Sequence, residues 1–269
     1  MNKKLITTIF ALFFITAATA QEAKATTAPA EANTTTEAAT PAPTTTTEDA
    51  VTFDLETGIY SKYVWRGLTL SDDVVNQGSA TASYKGFSFN LWYNLDATDQ
   101  NEQEGEVSEI DFTLSYAGQI NETIAYETGV IYYEFPNDAD ETAEVFLGFS
   151  FDTFLNPSIT VYYDFIEADG FYADLGIGHA FSITESISLE LGANLGIMDD
   201  GQSSTYLGEN TDGTNVSNIT FSAALPIELN ETFTLTPAVY FNSLVSGNND
   251  EESADDENVY TSINISASF

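Results

Sequence analysis

Ten charged residues sit where a two-residue rhythm along the chain would turn them all to one side. They are Asp54, Glu56, Lys62 and Arg66 in one segment, and Glu109, Asp111, Glu127, Asp164, Asp174 and Glu190 in later ones. Eight of these are carboxylates. Lining an enclosed passage, they would act as pore-lining groups whose negative field draws cations in and turns anions away. A structural reading of the same residues stands beside this one. The planar fork of Arg66 suits two carboxylates such as Glu109 and Asp111, and an ion-pair network of that kind would plug the interior. Trp92, Phe146 and Tyr162 fall on the same side and would fill part of it.

Catalysis finds less support. His179 is the single histidine. Outer-membrane phospholipases and proteases pair a histidine with Ser or Asp at the external rim, whereas His179 belongs to the opposite rim, beside Ser182 and Thr184. No enzymatic role is expected. The chain has no cysteine, which excludes disulfides, thiolate metal sites and a cysteine nucleophile. Two acidic stretches contain Glu102, Glu104 and Glu106, and Asp250, Glu251, Glu252, Asp255, Asp256 and Glu257. Neither has a calcium-loop spacing. They read as solvated loops, or as loose divalent bridges to lipopolysaccharide, and no dedicated metal or cofactor is expected. The formal net charge is −36, and from Val51 onward only Lys62, Arg66 and Lys85 are basic. Neutralising phosphates needs a basic surface, so a nucleic-acid partner is excluded.

These residues need elements to hold them. Met1 to Ala20 has the form of a secretory signal peptide: Lys3 and Lys4, an apolar core over Leu5 to Ile15, then Ala18-Thr19-Ala20 before Gln21. That core is shorter than the roughly 20 residues of a membrane-spanning helix. No other apolar run reaches that length, so a membrane-embedded chain of this sequence must be a β-barrel. Residues 21–50 are almost entirely Ala, Thr, Pro and Glu. Such a stretch cannot offset the entropy of ordering and reads as a disordered periplasmic tether.

From Val51 the composition changes, and apolar residues alternate with polar ones. Val259, Thr261, Ile263, Ile265, Ala267 and Phe269 share one face, and Tyr260, Ser262, Asn264, Ser266 and Ser268 the other. The same rhythm predicts strands near 51–67, 77–84, 87–96, 107–119, 123–134 and 142–154. It continues near 158–166, 171–182, 186–198, 214–226, 232–244 and 257–269. Connections alternate between tight turns, such as Lys85-Gly86 and Ile120-Asn121-Glu122, and longer polar loops, such as 97–106, 199–213 and 245–256. Short turns on one rim and long loops on the other are the rhythm of an outer-membrane barrel.

A soluble sandwich also alternates, but it would bury these apolar faces against each other. The apolar face here runs through nearly every strand with no polar edge strand. Aromatics gather near expected strand ends: Tyr60, Tyr63 and Trp65; Tyr132, Tyr133 and Phe135; Tyr162, Tyr163 and Phe165. These suit the two membrane interfaces. The expected fold is an all-β antiparallel transmembrane barrel of about twelve strands over 51–269. Its expected partners are outer-membrane lipid and lipopolysaccharide, small solutes or cations, and the barrel-assembly machinery through a last strand ending in Phe269.

Residues 61–78 read Ser-Lys-Tyr-Val-Trp-Arg-Gly-Leu-Thr-Leu-Ser-Asp-Asp-Val-Val-Asn-Gln-Gly. This resembles the opening of the TorF-type porin family, with Ser61, Tyr63, Arg66, Gly67, Ser71, Gln77 and Gly78 at matching positions. Glu109, Asp111 and Tyr116 in the following segments match as well, while Val74-Val75-Asn76 replaces the usual Pro-Ala pair. The resemblance implies an outer-membrane barrel of porin-like character. The expected function is passive diffusion of small solutes, cation-preferring through an acidic lumen. The competing expectation is a closed structural or adhesive barrel acting through its acidic external loops.

Overall fold

The computed structural model describes residues 50–99, 104–136, 140–208, 213–245 and 257–269. The signal-peptide and tether segments, with most of the two acidic stretches, lie outside the described residues. The strands are β1 (Thr52–Tyr60), β2 (Tyr63–Trp65), β3 (Leu68–Ser71), β4 (Val75–Tyr84) and β5 (Phe87–Asp96). Then come β6 (Val107–Gln119), β7 (Ile124–Glu134), β8 (Thr142–Phe151), β9 (Ser158–Asp164) and β10 (Gly170–Ser182). A short helix, α1 (Asp200–Tyr206), separates β11 (Ser188–Met198) from β12 (Asn215–Ala224). β13 (Ile227–Glu228), β14 (Phe233–Leu244) and β15 (Glu257–Ser268) follow.

Neighbouring long strands pair antiparallel, and β1 closes on β15 with Ile59 opposite Ile263. β12 continues into β13 past Pro226, and both pair with β14. The result is a closed barrel of twelve long strands, with β2 and β3 forming a separate hairpin. At the seam Phe269 N donates to Phe53 O at 2.9 Å and Phe53 N to Phe269 O at 3.1 Å. Closure leaves no strand edge, and that is the condition for a sheet to stand in acyl chains.

The two faces separate by chemistry. Phe53, Phe89, Leu114, Val145, Leu147, Leu191, Phe221, Val259 and Ile263 are exposed on the outside. Asn90, Asn94, Ser115, Ser150, Asn194, Thr220, Asn242, Ser262 and Asn264 are buried on the inside. Apolar side chains therefore meet lipid and polar ones meet the lumen. The turns are local devices. Asn121 Oδ1 accepts from the Thr123 and Ile124 amides at 2.9 and 3.0 Å, and Asn230 Oδ1 does the same for Thr232 and Phe233. Both sit in an Asn-Glu-Thr triplet, where the Asn side chain stands in for a backbone acceptor.

Two expectations are corrected. The first strand does not run from 51 to 67 but stops at Tyr60, and residues 61–74 fold into the β2–β3 hairpin. Tyr60, Tyr63, Trp65, Tyr133 and Tyr162 do not sit at a membrane interface. Tyr60, Tyr133 and Tyr162 face the lumen, because parity along the strand outranks their position near its end, and Tyr63 and Trp65 lie inside on the hairpin. Tyr132, Tyr163, Phe165 and Phe171 do face outward near the loop-side rim.

Leu147 lies midway along β8 on the outer face. Leu147→Arg is expected to lower unfolding stability in lipid vesicles by roughly 2–4 kcal/mol, read by urea titration of tryptophan emission. An unchanged midpoint would remove that residue from the bilayer.

Candidate functional site: a lumen closed by its own loops

The outer half of the barrel is filled by chain rather than by wall. The β2–β3 hairpin turns at Arg66 (φ 47°) and Gly67 (φ 90°), the left-handed pair that a two-residue hairpin requires. A side chain at Gly67 would sit 2.8 Å from Asn218 Cβ and 2.8 Å from Leu244 Cδ1, so the hairpin tip abuts β12 and β14 directly. Val64 packs on Ala238, Tyr240 and Tyr260 of β14 and β15. Tyr63 packs on Trp92 of β5 at 5.8 Å between ring centroids, and its hydroxyl donates to Glu109 Oε2 of β6 at 2.7 Å. The hairpin thus touches walls on opposite sides of the lumen. Lys62 pairs with Asp72 across its base and donates to Asn258 Oδ1 at 3.1 Å.

Arg66 holds it there. Its Nη1 and Nη2 each lie 2.7 Å from one carboxylate oxygen of Glu144 on β8, a two-bond fork. Nη1 also donates to Gln202 Oε1 at 3.3 Å. The guanidinium lies over the rings of Trp65, Tyr162 and Tyr172 at 4.5, 4.8 and 4.2 Å. Such stacking is worth about 2 kcal/mol or more when dry. Glu144 accepts a further bond from Tyr133 at 2.8 Å. Arg66, Glu144 and Gln202 are all buried.

Helix α1 completes the closure. Asp199 caps it by accepting from the Gln202 amide at 3.1 Å. A Cβ at Gly170 would lie 2.6 Å from the Gln202 amide nitrogen, so the helix rests against the start of β10 with no room for a side chain between. Tyr206 stacks edge-on against Trp65 at 5.1 Å and donates to Asp164 Oδ2 at 2.7 Å. Burial, and after it the Glu109 carboxylate, pushes the Tyr63 phenol well up. Burial, and after it the Asp164 bond, does the same for Tyr206. Both phenols stay protonated as donors.

The ten charged residues therefore divide. Arg66 does not bridge Glu109 and Asp111; it meets Glu144, because the chain turns back at Gly67 instead of continuing as strand. Glu109 and Asp111 lie side by side beneath Tyr63, Trp92 and Tyr133. Asp164 is saturated, accepting from Thr142 and from the Ile166 and Glu167 amides as well as from Tyr206. Asp174 accepts from Asn194 at 2.7 Å. Asp54, Glu56, Glu127 and Glu190 are only half-buried, on the strand segments that run toward the turn-side rim. Trp92 and Tyr162 stand in the filled outer half, as their parity implied.

Sequence reasoning missed Glu144, Gln202, Trp65 and Tyr172 as partners. Glu144 alternates with Val145 and Leu147, so its inward direction was available; its partner was not. His179 lies on the outer face near the turn-side rim, between Phe154 and Phe181, each 4.6 Å away. Among the described residues no three His, Cys, Asp or Glu side chains gather as a metal site.

A closed barrel that is apolar outside, polar within and stoppered at one mouth defines an outer-membrane β-barrel protein. The chain belongs to the bacterial family of unknown function designated Gcw_chp, whose model matches residues 44–236. No match was found among curated proteins. Among solved structures, the NanC porin superposes with a TM-score of 0.50 at 12% identity, covering 81% of this chain and 98% of that one. The KdgM porin gives 0.50 at 10% identity, covering 81% and 99%. An outer-membrane channel from Pseudomonas putida F1 gives 0.52 at 11% identity, covering 91% and 100%. At these identities the likeness is one of fold.

Glu144→Gln leaves the Arg66 guanidinium buried without its counter-charge, a loss of about 3–5 kcal/mol. The barrel wall does not depend on this pair, so the loss is expected locally. Amides of Trp65 to Leu70 should exchange with deuterium about a hundredfold faster or more, while those of β14 and β15 keep their rates. Uniform acceleration across the wall would show that the pair holds the barrel, not the hairpin.

Proposed function

We propose that the protein is an outer-membrane channel for small solutes, cation-preferring, and closed in this structure at its outer mouth. The supporting observation is the division of the lumen. Its turn-side half is lined by small and polar groups, including Ser83, Ser88, Ser115, Ser150 and Ser222, with Asp54, Glu56, Glu127 and Glu190 among them. Among the described residues, its loop-side half holds residues 61–74 and α1, packed against wall side chains such as Trp92, Tyr162 and Tyr172. A barrel built to be solid fills its interior from the strands themselves; here those wall aromatics are packed by a hairpin and a helix that are no part of the wall ladder. The carboxylates of the turn-side half would supply a negative field in a confined space. The resemblance of residues 61–78 to the TorF-type porins agrees with this reading, and residues 61–74 of that stretch form the stopper.

The filled outer half favours a second reading, a closed structural or adhesive barrel working through its external loops. The partners proposed for either reading are outer-membrane lipid with lipopolysaccharide at the loop rim. The assembly machinery is proposed to engage β15, which carries Phe269 to the barrel seam.

Planar-bilayer recording separates the two. The native protein should give small, cation-selective steps. Replacing residues 62–73 by a two-residue Asn-Gly turn should raise single-channel conductance severalfold, since Tyr60 and Val75 are already paired beneath it. Glu56→Gln, Glu127→Gln and Glu190→Gln together should move the reversal potential in a salt gradient toward zero. Absence of current in both the native and the shortened protein rejects the channel.

A further inference from the structure

The pocket around Arg66 has the features of a ligand site. An aromatic wall of Tyr162 and Tyr172 lies under a planar cation, a buried carboxylate takes its two outer nitrogens edge-on, and the Gln202 amide oxygen takes a further N–H. Tyr133 orients the carboxylate from behind. All of these groups come from the wall strands β7, β8, β9 and β10 and from α1. None belongs to the hairpin, which contributes Trp65 and the cation itself. The receptor half and the ligand half are separate pieces of chain.

We propose that this wall is a binding site for solutes bearing a guanidinium group, and that Arg66 occupies it as a tethered stand-in. The chemistry selects the class. Two parallel bonds to one carboxylate, a third N–H to an amide and a flat face against two rings fit a planar fork, whereas a tetrahedral ammonium matches the charge but neither the fork nor the stack. The site is buried and its carboxylate is held by Tyr133 and Gln202, so a vacant pocket would leave Glu144 without a counter-charge, a state that favours a cationic occupant. A soluble guanidinium compound can make the same contacts and, at a concentration that outcompetes the tethered side chain, leaves the hairpin without its charged anchor. On the channel reading, on which only this last step rests, such a solute opens the path it then enters.

The test removes the tethered cation and offers a free one. Arg66→Gly suits the backbone, because φ is 47° there and glycine adopts that region freely. Propylguanidinium then matches the missing side chain atom for atom beyond Cα. Added at millimolar concentration to the refolded R66G barrel, it is expected to raise the unfolding midpoint by several degrees and to change the emission of Trp65 and Trp92 saturably. Sodium chloride at equal ionic strength should do neither, and butylammonium should bind more weakly. In R66G with Glu144→Gln, affinity should fall about thirtyfold or more. If R66G does not fold alone, the ligand is present during refolding: recovery of the heat-modifiable barrel with propylguanidinium but not with salt supports the site. A folded R66G that ignores propylguanidinium, or an unfolded one that it fails to recover, overturns the proposal. These readouts need no conductance, so a protein that binds but carries no current would reject the channel and keep the site.

Discussion

Everything in this molecule follows from the absence of water in the acyl layer. A backbone N–H or C=O exposed there has no partner, so the sheet must close on itself, and a closed sheet has only two faces. One face then meets hydrocarbon and the other meets whatever the barrel encloses. The alternation of Val259, Ile263 and Ile265 with Tyr260, Ser262 and Asn264 is the direct imprint of that constraint. The hydrogen bonds between Phe53 and Phe269 are where it is completed.

Closure creates a second problem. Twelve strands surround more volume than polar side chains of ordinary length can pack, and the hydrophobic packing inside gathers around the hairpin rather than along the wall. The wall is stabilised by its ladder and by lipid, so the interior is free of any duty to hold the fold. This freedom is what allows a hairpin and a short helix to lodge there on a few contacts. Their attachment is polar and aromatic: a guanidinium fork, two phenol-to-carboxylate bonds, and ring contacts of Trp65 and Tyr63. Buried ion pairs add little net stability once desolvation is counted, but they demand one geometry. A stopper held this way is well placed and only weakly fastened.

The sequence was legible where the physics is periodic. Strand limits for β5 and β6 were read to the residue, and the inward direction of Glu109, Asp111 and Glu144 follows from parity alone. It was illegible where the chain departs from period. Trp65-Arg66-Gly67-Leu68 lacks the Asn-Gly or Asp-Gly of a familiar hairpin turn, so alternation was extended through it, and Arg66 was assigned partners on the wrong wall. The tyrosines near strand ends misled for a related reason. Tyr is equally at home at a lipid interface and over a buried guanidinium, and only the face it occupies tells which. Helix α1 has seven residues and one capping aspartate, too little sequence to announce itself.

The acids show how one residue type serves two ends. In the outer half, Glu109, Glu144, Asp164 and Asp174 are each taken up by a phenol, a guanidinium or an amide, and their charge is largely spoken for by those donors. In the inner half, Asp54, Glu56, Glu127 and Glu190 face the lumen where no basic side chain reaches among the described residues, since Lys62 and Arg66 are engaged in the stopper and Lys85 sits in a rim turn. A net charge of −36 therefore does not translate into a uniformly negative passage. The first tier sets the shape of the mouth; on the proposed channel reading, the second sets the field behind it. On that same reading, selectivity belongs to the second group and control of opening to the first. The two properties should vary separately under mutation.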